Sequence, residues 1–222
     1  PVQDRRLLCF PHVVHGVYNV AAMLTSSGSS LSWAAGALAG FDGDVDALLA
    51  AAASTPPGAE HLLFLPFLGL ERFPLWDPRA RGAFVGLSLA HGPGEMARAV
   101  VESTGFAVRA AIEAMESHGA RVTELRATGR LALSPAWCQT RADVCGRRVL
   151  VSAQEEADLV GNACVGFYGL DEYESLAAAS EALVRFERVY QPASPHRQLY
   201  DDLYAVFRGA CVGLAESFRG LG

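Results

Sequence analysis

The chain has 222 residues, of which 51 % are hydrophobic and 19 % are charged, and its formal net charge is −6. This composition is typical of a globular chain large enough for one or two domains, and the negative charge argues against nucleic-acid binding through a broad basic face. All 18 lysine-plus-arginine positions are arginine, which excludes a Walker A loop and a Schiff-base lysine. No apolar run approaches the roughly 18 residues that a membrane span needs, so no membrane contact is expected.

The cysteines and histidines show no metal-site spacing. The five cysteines, Cys9, Cys138, Cys145, Cys164 and Cys211, are scattered among apolar residues, which predicts buried thiols in a reducing cytoplasm. None of the six histidines belongs to a pair spaced as metal ligands. No GxSxG motif occurs, and no Ser/His/Asp set can be argued from the order of residues.

The first half of the chain begins with strand patterns and ends in a long helix. In order, the sequence predicts strands over 6–14 and 17–23 joined as a hairpin around His15-Gly16, helices over 31–40 and 44–53, a buried strand over 62–68, a short strand over 83–87 and an amphipathic helix over 94–118. Gly105 inside the long helix indicates that another element packs closely there. The loop at 69–82 carries Glu71 and Asp77, which are expected to pair with Arg72, Arg79 or Arg81.

The second half reads as βαβα. The predicted elements are a strand over 121–127, a helix over 135–145, a strand over 149–151, a helix begun by the capping box Ser152–Glu155, a helix over 173–186 and a final helix begun by Ser194-Pro195. Early strands followed by this alternation predict one α/β domain with a mixed sheet.

A strand, a glycine loop and a helix N-terminus follow one another at 121–135. Ser134 is the expected N-cap, and Pro135 suits the first helical position. Backbone N–H groups and the helix dipole converge at such a point and can hold a phosphate, although an ordinary βα connection has the same pattern. A second polar glycine loop, at 26–33, opens another helix, so two helix N-termini could hold one polyanion.

Residues 65–86, LPFLGLERFPLWDPRARGAFVG, resemble a signature in the C-terminal half of the FGGY family of carbohydrate kinases, with particular similarity to xylulokinases and gluconokinases. The resemblance extends through the long helix after His91, through 129–143 and 156–161, and includes SGSSLSW at 27–33. It implies a ribonuclease H-like domain of the actin/hexokinase type, with a mixed sheet flanked by helices. The family has two domains, which hold ATP and a sugar in the cleft between them.

By this resemblance, residues 1–222 form one domain, the C-terminal, nucleotide-side domain of a sugar kinase. Gly28 and Ser32 match positions near the nucleotide phosphates, and Gly129, Arg130 and Ser134 match positions in the adenosine-contacting loop. The implied cofactor is ATP with Mg²⁺, and the implied substrate is a small sugar, first a D-xylulose-like one and then gluconate or glycerol.

The resemblance also implies that the catalytic aspartate lies before Pro1, in an N-terminal domain absent from this chain. The chain would then hold no catalytic residue and no metal ligand, and is expected to be inactive alone. A start at proline rather than methionine favours a processed product or a piece of a longer protein. The surface toward the absent domain is expected to be unusually apolar or lined by ligand-binding residues, and an isolated domain could form a homodimer through it.

One departure from the family pattern supports a second reading. Gly129-Arg130-Leu131 stands where the family has two or three consecutive glycines, and glycine lets the backbone approach the nucleotide closely. Arginine and leucine place side chains in that space. The alternative function is therefore a degenerate kinase domain that acts as a non-catalytic nucleotide-binding or interaction module.

Overall fold

The structure is a computed structural model that describes residues 4–69 and 72–221. The strands are β1 (Leu7–Pro11), β2 (Tyr18–Ala22), β3 (Leu63–Leu65), β4 (Ala83–Val85), β5 (Glu124–Ala127), β6 (Arg148–Ser152) and β7 (Phe186–Tyr190). The helices are α1 (Gly28–Ala37), α2 (Val45–Ser54), α3 (Pro93–Ser117), α4 (Pro135–Cys145), α5 (Ala157–Gly169), α6 (Leu176–Leu183), α7 (Arg197–Gly213) and α8 (Ala215–Gly220).

The strands form three sheets. β1 and β2 make the predicted antiparallel hairpin, and β3 pairs with β4 in a second antiparallel sheet. In the third sheet, β5 and β6 are parallel and β7 joins β6 antiparallel. This sheet is mixed, as predicted from the order of elements.

Helix α3 lies at the centre of the packing. Its Val100 belongs to a core cluster with Leu31 of α1 and Leu48 of α2, whereas its Phe106 belongs to a second cluster that includes Phe207 of α7. A Cβ placed on Gly105 would lie 3.2 Å from a methyl group of Val144 in α4. The close approach predicted at Gly105 is therefore confirmed.

Two predictions between residues 152 and 190 are wrong. Ser152 is the last residue of β6, and its hydroxyl accepts a hydrogen bond from Gln154 N at 3.2 Å. Helix α5 consequently begins at Ala157 and has no side-chain cap. The helix predicted over 173–186 is limited to Leu176–Leu183, and Phe186 instead begins strand β7. The partner that makes Phe186–Tyr190 a strand is β6, which is remote in sequence.

The remaining predictions hold only in part. The predicted helix start at Ser194-Pro195 is wrong, because these residues form a 3₁₀ turn and α7 begins at Arg197 with no side-chain cap. The predicted final helix also breaks at Leu214 into α7 and α8. Asp77 pairs with Arg79 as expected, with Oδ1 3.5 Å from Nε, while Glu71 lies outside the described residues. All five cysteines are free thiols, but Cys9 is exposed and only the other four are buried.

Two properties of residues 4–69 and 72–221 bear on function. None of the helices there combines the length and the apolar character that crossing a bilayer requires. No group of three or more histidine, cysteine, aspartate or glutamate side chains in these ranges is arranged to hold a metal ion.

Candidate functional site

The first part of the site is the N-terminus of α1. Gly28 is the first residue of this ten-residue helix, Ser27 makes no side-chain capping bond, and the first turn holds no acidic residue. The Ser32 hydroxyl is exposed and lies 3.4 Å from Gly28 O, to which it donates. The first N–H groups of a helix have no intrahelical acceptor and mark the positive end of its dipole. This end therefore lacks a side-chain counter-charge of its own.

The second part is the loop that leads from β5 into α4. Gly129 has φ +77°, and a Cβ there would meet no atom within 4 Å. Residues Arg130–Leu133 form a 3₁₀ turn, after which the Ser134 hydroxyl accepts a hydrogen bond from Trp137 N at 3.3 Å. The predicted N-cap is confirmed. Because this bond uses only an acceptor lone pair, the Ser134 hydroxyl proton remains available for donation.

Leu131 brings these two parts together. A Cβ placed on Gly28 would lie 3.7 Å from Leu131 Cδ1, and Leu131 packs against the core cluster that includes Leu31 of α1. The two glycine loops, far apart in sequence, are therefore neighbours in the fold. The N-terminus of α1 therefore adjoins the loop that precedes α4.

The Arg130 side chain is directed toward α2. Its Nη2 lies 3.2 Å from Asp46 Oδ2 at the start of α2, and the two side chains are 77 % and 73 % exposed. An ion pair this exposed contributes little to stability. Arg130 is therefore free to exchange Asp46 for another partner at small cost.

A groove runs between α2 and the loop of residues 129–134. Its volume is about 780 Å³, which is within the usual range for small-molecule sites. Arg130, Leu131 and Ser134 line one side, Leu49 and Ala50 of α2 line the other, and Gly28 and Ser32 lie outside it. The predicted site residues thus divide into a helix end at Gly28 and a groove beside Ser134.

A buried arginine beneath the loop was not predicted from the sequence. Arg141 of α4 is 2 % exposed, donates to Val101 O at 3.1 Å and to Thr104 Oγ1, and stacks on Trp137 with Cζ 4.4 Å from the ring centre. Burial lowers the pKa of Arg141 to about 10, so the guanidinium stays charged at neutral pH. The i, i+4 spacing of Trp137 and Arg141 was the available signal, but a polar residue at that spacing is usually at the surface.

Comparisons with known proteins identify the family. Residues 9–170 match the C-terminal domain of the FGGY family of carbohydrate kinases. A xylulose kinase from Staphylococcus epidermidis is 30 % identical over 92 % of this chain and 41 % of its own length. A gluconokinase from Bacillus subtilis is 32 % identical over 79 % of this chain and 36 % of its own length.

Solved structures agree with these sequence matches. The crystal structure of xylulose kinase from Rhodospirillum rubrum superposes with a TM-score of 0.82 at 32 % identity, covering 97 % of this chain and 44 % of that one. A ligand-bound xylulose kinase from Lactobacillus acidophilus gives a TM-score of 0.89 at 25 % identity, with 98 % and 44 % coverage. The chain thus spans less than half the length of these relatives. It belongs to the FGGY family of carbohydrate kinases, matches the C-terminal domain of that family, and has its ribonuclease H-like, actin/hexokinase-type fold.

Proposed function

We propose that this chain forms the nucleotide side of an ATP-dependent kinase that phosphorylates a small, xylulose-like sugar. Membership of the carbohydrate kinase family supports the reaction class. The observation that carries the proposal is the contact of Leu131 with Gly28, which places the uncapped N-terminus of α1 against the loop of residues 129–134. A helix end that adjoins a glycine-containing loop is suited to phosphates and an adjoining nucleoside.

The residues at this site suit a phosphorylated nucleotide. N–H groups in the first turn of α1 would donate to phosphate oxygens, Gly129 leaves the backbone accessible, and the Ser134 hydroxyl would donate to the nucleoside. ATP, when bound with Mg²⁺, supplies the phosphoryl group. Mg²⁺ bound with a nucleotide is usually held largely by phosphates and water.

We further propose that residues 1–222 are a single domain and that another domain supplies the sugar pocket and the proton-accepting carboxylate. The chain matches only 41 % of the length of the Staphylococcus epidermidis enzyme. The β1–β2 hairpin exposes Leu8, Phe10 and Tyr18, which suits a face that meets that domain or a second copy. The purified 222-residue chain is expected to release no ADP in response to sugar, and sugar-dependent ADP release would contradict this.

The degenerate-domain reading is favoured by the side chains of Arg130 and Leu131 in the nucleotide loop. Calorimetric titration of MgADP into the chain separates the two functions, because absence of binding at millimolar nucleotide would favour the degenerate domain. Ser134→Ala should weaken binding of MgADP. Ser175→Ala is the matched control, since Ser175 caps α6 in the same way, accepting from Ala178 N, outside the proposed site. An equal loss in both variants would contradict a role for Ser134 in binding.

We also propose a cytoplasmic location, on the basis of the cysteines. The exposed Cys9 and the four buried cysteines are all unpaired, and free thiols are typical of reducing compartments. Titration of protein purified from its native source with a thiol reagent should find Cys9 reactive. A Cys9 blocked by a disulfide would count against this location.

A further inference from the structure

Among the residues that the structure describes, two arginines are buried, and they differ in how their charge is compensated. Arg98 is 7 % exposed, and its Nε lies 2.6 Å from Glu102 Oε1. Arg141 is 2 % exposed and makes no ion pair with a carboxylate within the described ranges. Burial lowers the pKa of Arg141, and the neighbouring thiols of Cys138 and Cys145 supply no negative charge at neutral pH because burial raises their pKa values. A buried, unpaired charge is strongly unfavourable, so its presence at Arg141 calls for a counter-charge.

The guanidinium of Arg141 is linked to the residues before α1 through Thr104. Its Nη2 donates to Thr104 Oγ1, and Thr104 lines a small cavity together with Ser26 and Ser27, the two residues before Gly28. Trp137, on which Arg141 stacks, packs with Leu131 against the core cluster that contains residues of α1. Thr104 therefore lies between Arg141 and the cavity that adjoins the start of α1.

The same turn of α4 carries two buried donors that lack an acceptor. Arg141 Nε and Trp137 Nε1 are both inaccessible to solvent and make no hydrogen bond within the described part of the chain. Buried N–H groups in folded proteins nearly always have a partner. Two of them on adjacent stacked side chains, beside a helix end without an acidic residue, leave this region short of negative charge and of acceptors.

We propose that Arg141 is the buried counter-charge for an anionic group bound at the N-terminus of α1. This inference rests on the proposed function, in which that group is the phosphate chain of the nucleotide. Arg141 acts from behind Thr104 rather than by contact, since charges interact strongly over several ångströms where water is excluded. It is thus a positioning residue, and its effect depends on the charge of the ligand.

The test compares a charged and a neutral ligand. MgADP and adenosine are titrated calorimetrically into the wild-type chain and into Arg141→Met, Arg141→Lys and Arg208→Met. Arg141→Met should weaken MgADP binding by about tenfold or more and change adenosine binding by less than about twofold. Arg141→Lys keeps the charge and should retain most of the affinity for MgADP. Arg208→Met removes the same charge from an exposed side chain of α7 and should change neither.

The outcomes separate this inference from the proposed function. If MgADP and adenosine weaken equally in Arg141→Met, or if neither weakens, the electrostatic role is refuted. If the wild-type chain binds neither MgADP nor adenosine, the proposed function fails. Binding of inorganic pyrophosphate then tests the inference about Arg141. Pyrophosphate should then raise the thermal midpoint of the wild-type chain but not that of Arg141→Met, and equal responses would overturn the inference. The midpoint without ligand shows that each variant is folded.

Discussion

The buried carboxylate of Glu102 allows a strong test of how the core is held together. Its side chain is 1 % exposed, and Oε1 accepts hydrogen bonds from Arg98 Nε at 2.6 Å, Tyr200 Oη at 2.8 Å and Gly58 N at 2.9 Å. Glu102→Ala would leave the Arg98 charge buried and unpaired and two further donors without an acceptor. Removing one partner of a buried ion pair typically costs 3–5 kcal/mol, so the unfolding free energy should fall by about that amount.

The double variant Arg98→Met/Glu102→Leu tests the reasoning more sharply. It removes both charges and replaces them with apolar volume, so it should cost about 2 kcal/mol or less and thus less than Glu102→Ala alone. Urea denaturation at pH 7, followed by circular dichroism, measures all variants. Asp46→Ala is the control, because it breaks the exposed Arg130–Asp46 pair and should cost under about 1 kcal/mol. A loss of unfolding free energy below about 1 kcal/mol in Glu102→Ala would refute this explanation of the buried ion pair. A larger loss in the double variant than in Glu102→Ala would refute it as well.

Three further changes test packing and burial. A Cβ on Gly105 would lie 3.0 Å from Arg141 Nη1, so Gly105→Ala should lower the unfolding free energy by about 1–2 kcal/mol. A Cβ on Gly209 would meet nothing within 4 Å, so Gly209→Ala should raise the unfolding free energy by up to about 1 kcal/mol. Equal shifts of the two variants in urea denaturation would contradict this. Burial raises the pKa of Cys145 to about 11, so the folded chain keeps a proton that the unfolded chain releases. Stability should therefore fall as pH rises from 9 to 11, by about 1 kcal/mol at pH 10. Cys145→Ala should reduce this dependence by that amount and leave the part that comes from the buried Cys211, whose pKa is raised to about 12, whereas a change at the exposed Cys9 should leave the dependence as it is. Arg141→Met should leave the unfolding free energy unchanged or higher, because it removes an unpaired buried charge, and a loss above about 2 kcal/mol would contradict that.

Much of the helical structure could be predicted because its signals are local. The long helix was predicted over 94–118 and spans Pro93–Ser117, since its apolar residues recur at three- and four-residue steps. Ser134 caps α4 as expected from its position before Pro135. Caps and periodicity depend on residues within about one turn of each other, and the sequence contains them all.

Predictions were wrong where a short sequence pattern suits a helix but the same residues pair as a strand in the fold. Ser152–Glu155 has the spacing of a capping box, but Ser152 pairs in β6 opposite Phe186. Phe186 follows a helix-forming run and was included in the helix predicted over 173–186, although Phe186–Tyr190 alternates in burial as a strand does. Neither outcome follows from the segment alone, because a strand forms only where a partner lies beside it.

At the candidate site too, the residues could be identified from the sequence, whereas their positions relative to one another could not. Sequence and resemblance identified Gly28, Ser32, Gly129, Arg130 and Ser134, and their contact with a nucleotide stays a prediction. The fold placed Leu131 against Gly28 and turned Arg130 toward Asp46, 84 residues away. These distances depend on how α1, α2 and the loop pack on α3, which no local pattern specifies.

The sequence by itself determined the family, the order of most elements and the two glycine loops, because composition, caps and periodicity are properties of short segments. Only the tertiary structure decided that these loops meet, that Arg141 is buried without a carboxylate and that Glu102 joins α3 to α7. Burial and the pairing of charges depend on which distant segments exclude water from one another. Those relations exist only once the chain is folded.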